Sequence, residues 1–366
     1  MNKSQDVRSS MDQHREEFKL DNRIIINMLS TADKVAGQGV GSAYEEQVQL
    51  VKEGASDLFD VRINAHCKAD INHFHTINPN FFVKMKTSKA ANVAYCHFLP
   101  DTLDGSIKIP KAFFGVFKKY VTSFYRSADY LIVVNPIFMK ELERYHIDKN
   151  KMVYIPNYVS NEQFFEKNKE DQAALRRQYG IAEDAFVVLG VGQVQTRKGV
   201  LDFVEVAKQM PDITFLWAGG FSFGVITDGY RELTQVMENP PANVKFLDII
   251  PRSQMNDIFN IADVLFMPSY NELFPMSILE AVNVGRPLVL RDLELYEDIL
   301  FHHYVKGKDN AQFVRALRTL KADPQEYKKW QQESKKIAQF YSKEHVLQIW
   351  RDFYTKVYKE HQPKKK

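Results

Sequence analysis

Residues 268–287 read Pro-Ser-Tyr-Asn-Glu-Leu-Phe-Pro-Met-Ser-Ile-Leu-Glu-Ala-Val-Asn-Val-Gly-Arg-Pro. The residues ahead of them, Ala262 to Met267, form a short apolar run of the kind that makes a buried strand. A loop holding Pro268, Asn271 and Pro275 follows, and then Met276, Leu279, Val282 and Val284 keep near-helical spacing until Gly285 stops the helix and Pro287 opens another strand. Glu272 falls in the loop and Glu280 just over a turn inside the helix. A helix that starts after a strand and loop aims free backbone N–H groups and its positive dipole end at whatever lies there, which makes an anion site. Two carboxylates beside such a site suit a ligand carrying both phosphates and hydroxyls, as a nucleotide sugar does.

The run from Glu272 through Phe274-Pro275 to Leu279-Glu280-Ala281, closed by Gly285-Arg286-Pro287, resembles the donor-site signature of family 4 glycosyltransferases. These are retaining enzymes, and the resemblance implies an α/β chain of the GT-B fold, with two Rossmann-like domains facing across a cleft. It also implies that Glu272 holds the donor hexose and Glu280 the ribose of the nucleotide. The backbone at Phe274, Pro275 and Met276 would meet the sugar and diphosphate. Leu273 and Pro275 stand where the family frequently has glycine, and proline has no N–H to donate, so one contact is withdrawn.

A chain of 366 residues has room for two domains of ordinary size. Its 45% hydrophobic and 26% charged residues are those of a globular protein. No run of about 18 apolar residues occurs, so no membrane-spanning helix is expected. Residues 1–20 are polar and charged without an apolar stretch, which suggests a flexible or loosely helical extension rather than a secretory signal. Cys67 and Cys96 are too few for a disulfide framework and lack metal-ligand spacing, favouring a reducing cytosol.

Arg23 to Leu29 reads as the first buried strand, followed by a glycine-rich loop with Gly37, Gly39 and Gly41 and a helix from about Ala43. Strand, glycine loop and helix suit a Rossmann-like half, with Gly39 and Gly41 as ligand-facing candidates. The spacing is not the dinucleotide fingerprint, which disfavours NAD. Asp60–Ala65, Ala69–His75 and Asn92–Phe98 read as further strands. His73 and His75 alternate around Phe74 and so share a side of their strand; no third metal ligand is visible, and they read as polar residues near the cleft. His97 ends its strand as a histidine does at the family's cleft, where the resemblance places the imidazole by the reacting sugar. Cys96 points to the other face, against a Cys–His nucleophilic pair.

Residues 84–126 hold eight Lys/Arg against two Asp, a local balance of +6 in a chain whose net charge is +3. A helix opening at Pro110 has an apolar face of Phe113, Phe117, Tyr120, Val121 and Phe124, with Lys111, Lys118, Thr122 and Arg126 opposite. Basic residues among aromatics suit an anionic membrane surface. The competing reading packs the apolar face on the first sheet and leaves residues 101–111 as the membrane contact. No nucleic-acid-binding motif accompanies the patch, so a nucleic-acid partner is not expected.

Val153 to Val159 resembles the family's inter-domain hinge. Phe186 to Gly192 is then an apolar strand entering Gln193-Val-Gln-Thr-Arg197-Lys198-Gly199. A basic pair on a loop after a strand can neutralise a diphosphate leaving group. Gly192, Arg197 and Lys198 match the family's loop, while Gln193 replaces its usual first arginine. The resemblance seats the nucleobase by residues 248–251. No Asp-x-Asp motif occurs, so Arg197 and Lys198 would do the work of a divalent ion; neither metal nor cofactor is expected.

The implied division is an extension at 1–20, an acceptor domain at 21–160, a nucleotide-sugar domain at 161–342 and a helix at 343–366 crossing back. Stretches 33–44, 95–102, 192–199 and 291–296 are similar to bacterial enzymes that add a second hexose to monoglucosyl-diacylglycerol, giving the diglycosyl lipid that anchors lipoteichoic acid. The expected partners are therefore UDP-glucose or UDP-galactose, a glycolipid acceptor and the inner face of the cell membrane, with His97, Glu272, Lys198 and Arg197 as the catalytic set. A polymer, polysaccharide or protein acceptor, or an inactive GT-B partner subunit, are the competing readings. Retention of His97, Lys198, Glu272 and Glu280 together argues against the inactive subunit.

Overall fold

The protein is described from a computed structural model covering residues 23–31, 39–97, 99, 111–221, 224 and 227–362. The expected N-terminal extension, most of the glycine loop, the 101–110 segment and the lysine tail lie outside the described residues. Two six-stranded, fully parallel sheets form the body. The first contains β1 (Ile24–Leu29), β2 (Phe59–Ile63), β3 (Ile71–Phe74), β4 (Ala91–Cys96), β5 (Tyr130–Val133) and β6 (Met152–Tyr154), in the order β2-β1-β3-β4-β5-β6. The second contains β7 (Val187–Val191), β8 (Thr214–Ala218), β9 (Val244–Phe246), β10 (Val264–Met267), β11 (Leu288–Arg291) and β12 (Val305–Gly307), in the order β12-β11-β10-β7-β8-β9. Inner strands such as β4 and β10 are buried at every residue. Helices cover both faces of a parallel sheet, so its strands read as continuous apolar runs rather than alternating ones.

Strand order reverses between β1 and β3 in the first sheet and between β7 and β10 in the second. In open α/β sheets ligands sit outside the carboxyl ends of the strands at such reversals, because the two flanking loops diverge there and leave a crevice. The loops after β7 and β10 carry Arg197, Lys198 and Glu272. β6 shows that the first part of the expected hinge is a strand of the first sheet, paired with β5.

The helix Lys343–His361 follows the second sheet in the chain and packs against the first half. Arg351 pairs with Asp57, Tyr354 reaches His73, and Tyr130 bonds Glu360. Its Trp350, Phe353, Tyr354 and Val357 are buried. The basic helix, Lys111–Ser127, buries Val121, Phe124 and Tyr125, so the packed reading holds for this face. Thr122, expected on the wet side, is also buried, its hydroxyl donating to the Lys118 carbonyl at 2.9 Å. A threonine can return its hydroxyl to the preceding turn, which lets it enter an apolar face.

Candidate active site

The Met276–Asn283 helix begins where Pro275 leaves extended backbone at φ −69°, and Gly285 at φ 72° ends it as the sequence suggests. Arg291 clamps the preceding loop from β11. Its Nε donates to the Pro268 carbonyl at 2.8 Å, its guanidinium pairs with Asp202 at 2.7 Å, and it lies 4.0 Å over the Tyr270 ring. The loop after β7 makes one 3-10 turn, Thr196–Lys198, and meets the first loop directly: Tyr270 N–H donates to the Arg197 carbonyl at 2.8 Å, and Arg197 to the Asn271 carbonyl at 3.1 Å.

These contacts bring the Lys198 Nζ to 2.6 Å from Glu272 Oε1, with Arg197 3.8 Å from the other carboxylate oxygen. Glu272 and Lys198 are only 5% and 8% exposed, so neither charge is relieved by water. Burial alone would raise the Glu272 pKa, but Lys198 and Arg197 outweigh it and hold the carboxylate below its usual value. Burial lowers the Lys198 pKa, and Glu272 opposes that shift. Gly192 lies against the Lys198 side chain. Gln193 accepts from Gln195 Nε2 at 2.7 Å, within the loop where the family's arginine would stand.

Glu280 is 4% exposed, and its partner was not legible in the sequence. Arg252 donates to Glu280 Oε1 at 2.5 Å and to Glu46 Oε1 at 2.6 Å. Glu46 comes from the helix Gly39–Gly54 beside the first sheet, and its other oxygen accepts from Ser160 N–H at 3.0 Å. Burial raises the pKa of both carboxylates, and the shared guanidinium opposes the rise. One signal was available: Arg252 is the first residue of its helix, where a cation opposes the helix dipole. A cation placed there against its local preference invites a search for a carboxylate.

Across the crevice, His97 follows β4 and is 8% exposed. Burial lowers its pKa to about 3, so the ring is neutral. The Tyr95 ring stacks on it at 4.2 Å and 8°. Tyr95 donates to Asn157 Oδ1 at 3.2 Å, and Asn157 donates to the Phe274 carbonyl at 3.1 Å. The histidine end of the first sheet is thus two hydrogen bonds from the loop carrying Glu272. Asn135 adds a second tie, donating to the Leu273 and Leu295 carbonyls at 3.4 and 2.8 Å. Asn135 and Asn157 were missed because an asparagine that reaches across to another loop leaves no local pattern.

Arg197, Lys198 and Glu272 therefore meet at the carboxyl end of the second sheet, Glu280 lies inside the helix that opens after Phe274-Pro275, and His97 stacks on Tyr95, which Asn157 ties to the Phe274 carbonyl. Gly39 and Gly41 differ from expectation. They form the first turn of the helix Gly39–Gly54 rather than a loop, a place where glycine is tolerated because the N–H groups have no intrahelical acceptor. Among the described residues no group of three or more His, Cys, Asp or Glu is placed to hold a metal ion.

Known proteins resemble this chain along most of its length. Residues 171–337 match the family model "Glycosyl transferases group 1", and residues 55–163 match "Glycosyltransferase Family 4". The chain is 44% identical over 336 residues to an alpha-galactosylglucosyldiacylglycerol synthase of Streptococcus pneumoniae, covering 91% of this chain and 90% of that one. It is 32% identical over 203 residues to a processive diacylglycerol alpha-glucosyltransferase of Acholeplasma laidlawii, covering 55% and 60%. Among solved structures, Anabaena HepE with UDP-glucose superposes with a TM-score of 0.75 at 15% identity, covering 91% of this chain and 100% of that one. A sucrose-phosphate synthase of Thermosynechococcus elongatus gives 0.76 at 16%, covering 92% and 100%. These two likenesses fix the GT-B fold.

Proposed function

The chain belongs to the family 4 glycosyltransferases, and from that premise we propose that it transfers an α-hexosyl group from a UDP-hexose to monoglucosyl-diacylglycerol, forming a diglycosyl-diacylglycerol. The observation that carries the donor half is the buried Lys198–Glu272 pair at the strand reversal, beside the free N–H groups of the Met276 helix. A UDP-hexose seated there offers Lys198 and Arg197 its diphosphate and Glu272 the hexose hydroxyls, so each charge exchanges one partner for another. Glu280 takes the ribose hydroxyls as Arg252 moves off it. The acceptor hydroxyl attacks the anomeric carbon on the face the diphosphate leaves, and the departing phosphate oxygen takes its proton, so configuration is retained. Arg197, Lys198 and the helix dipole stabilise the charge that develops on UDP, where a closed low-dielectric cleft makes such groups most effective. No divalent ion is needed in this scheme.

The acceptor half rests on the two lipid-glycosylating relatives. The name of the pneumococcal relative favours galactose over glucose as the hexose moved. In this reading residues 21–160 receive the acceptor, 161–342 hold the donor and 343–366 tie the halves together. The protein works from the cytosol on an anionic bilayer. No helix among the described residues is long and apolar enough to cross a membrane. Val83 and Val116 are 64% and 67% exposed on helices that also carry Lys84, Lys86 and Lys119. Apolar side chains amid cations favour peripheral attachment, with each cation near the surface adding about 1 kcal/mol. The test presents UDP-galactose and UDP-glucose in turn with monoglucosyl-diacylglycerol, diacylglycerol and a polysaccharide acceptor, on anionic vesicles. The expected result is one diglycosyl lipid and co-flotation of the protein. Product only on the polysaccharide, with no flotation, overturns the lipid reading.

A further inference from the structure

Arg252 serves two carboxylates, and the reaction above accounts for only one of them. Glu280 belongs to the Met276–Asn283 helix of the second half and Glu46 to the Gly39–Gly54 helix of the first. The guanidinium reaches them through different nitrogens, Nη1 to Glu280 and Nη2 to Glu46. Its mount, the Arg252–Ile261 helix, is fastened to the segment that joins the halves. Phe165 and Lys167 N–H groups donate to Asn256 and Asn260 of that helix at 3.1 and 2.8 Å, and the guanidinium carbon lies 4.9 Å from the Phe164 ring centre. Glu46 is held to the same segment by Ser160 N–H at 3.0 Å, and Asn283, three residues after Glu280, donates to the Val159 carbonyl at 3.1 Å. All three side chains thus stand on elements tied to one short linker. Burial would lower the Arg252 pKa, but Glu280 and Glu46 outweigh it and raise it, so the guanidinium is charged.

We propose that Arg252 and Glu46 are positioning residues for the nucleotide: Arg252 occupies Glu280 until the ribose arrives, and Glu46 then keeps the displaced guanidinium. This rests on the assignment of Glu280 to the ribose above and deepens it. A buried cation stripped of its counter-charge is strongly destabilising. With Glu280 as its single partner, Arg252 would resist displacement by neutral hydroxyls. Glu46, already bonded through the other nitrogen, removes that obstacle, because the guanidinium gives up one charge-assisted hydrogen bond and retains the second. The ribose hydroxyls then donate to Glu280 in place of Nη1. Glu46 stands in the half assigned to the acceptor, so donor affinity depends on a carboxylate of the opposite domain. A nucleotide without 2′ and 3′ hydroxyls has nothing to offer Glu280 and leaves Arg252 where it is.

The test measures binding of UDP and of 2′,3′-dideoxy-UDP by calorimetry, on wild type, Glu46→Gln, and the double variant Glu46→Gln with Arg252→Gln. Glutamine keeps the size of Glu46 and an acceptor oxygen for Ser160 N–H, so the change removes the charge alone. Wild type should prefer UDP to the dideoxy ligand. Glu46→Gln should weaken UDP binding by about tenfold or more, the worth of a hydrogen bond to a charged group, and dideoxy-UDP binding by less than about twofold. The double variant should regain the wild-type preference or exceed it, because no guanidinium then competes for Glu280. It holds no unpaired cation, and its preference decides the matter if Glu46→Gln alone does not fold. Equal losses for the two ligands in Glu46→Gln make the tie merely structural and overturn the inference. So does no loss for either, or a double variant whose preference falls below that of wild type. If wild type binds the two ligands alike, Glu280 is not on the ribose, and that reading fails ahead of the inference built on it.

Discussion

Lys198 and Glu272 are 74 residues apart in the chain and 2.6 Å apart in space. Removing one partner of a buried pair leaves the other charge uncompensated, at a cost of about 3–5 kcal/mol, whereas replacing both with apolar groups is often neutral. Lys198→Met should therefore lower both turnover and unfolding free energy, while Lys198→Met with Glu272→Leu should recover the stability and none of the turnover. Urea unfolding alongside transfer rates separates the two; a double variant that regains activity would remove the pair from the chemistry. The buried histidines make a second forecast at this scale. In the unfolded chain they titrate near their ordinary value of 6.5, but burial depresses all three in the folded protein. Below that value the unfolded chain binds more protons than the folded one, so stability present at neutral pH is lost as pH falls toward the folded values. The slope is at most about 1.4 kcal/mol per pH unit for each histidine. Between about pH 6 and pH 5 the loss should be shallower in His75→Phe than in wild type. Equal slopes in chemical unfolding would contradict the assignment of a neutral, buried His75.

Two loops build the proposed donor side, and Gly199 is one place where they touch. It holds φ 70° at the start of the helix Val200–Lys208, and a Cβ there would stand 2.3 Å from the Pro268 carbonyl oxygen. Neither strain nor clash can be relieved by a side-chain rotation, because both involve backbone. Gly199→Ala should cost about 1–3 kcal/mol for the backbone conformation alone. It should also weaken UDP binding by pushing Arg197 and Lys198 off the 268–272 loop. Calorimetry of UDP binding reads this, and unchanged affinity would mean that the loop contact does not position the basic pair. Most of these elements were legible beforehand. The strand to Met267, the helix from Met276 and its stop at Gly285 are written in local periodicity and turn chemistry, which act over a few residues. The Arg252 bridge to Glu46 and Glu280 was not, because its partners come from separate helices and only the folded chain brings them together. The first turn at Gly39 was misjudged for a related reason. Glycine signals a loop by propensity, and tertiary packing overrides that preference where the backbone N–H groups are free in any case.

The two halves share one apolar core and the returning helix, and polar ties join them across the crevice. Arg252 links Glu46 of the first half to Glu280 of the second, Asn157 and Asn135 reach the Phe274 and Leu273 carbonyls, and the helix Lys343–His361 returns to β3 through Tyr354. Because Arg252 holds the carboxylate proposed for the ribose, nucleotide binding would compete with the grip between the halves for one guanidinium. With Glu280 on the ribose as proposed, donor arrival would be coupled to cleft closure through this guanidinium. The central claim is that this crevice transfers a hexose from UDP to a glycolipid with retention, through Glu272. The most direct measurement incubates the protein with UDP-galactose and monoglucosyl-diacylglycerol and reads the new anomeric linkage by NMR, with Glu272→Gln in parallel. The wild type should give an α-linked diglycosyl lipid. Glu272→Gln should lower kcat/KM by an amount corresponding to about 1.5–3 kcal/mol, the worth of a hydrogen bond to a charged group. A β-linked product, or an undiminished rate in the variant, would contradict it.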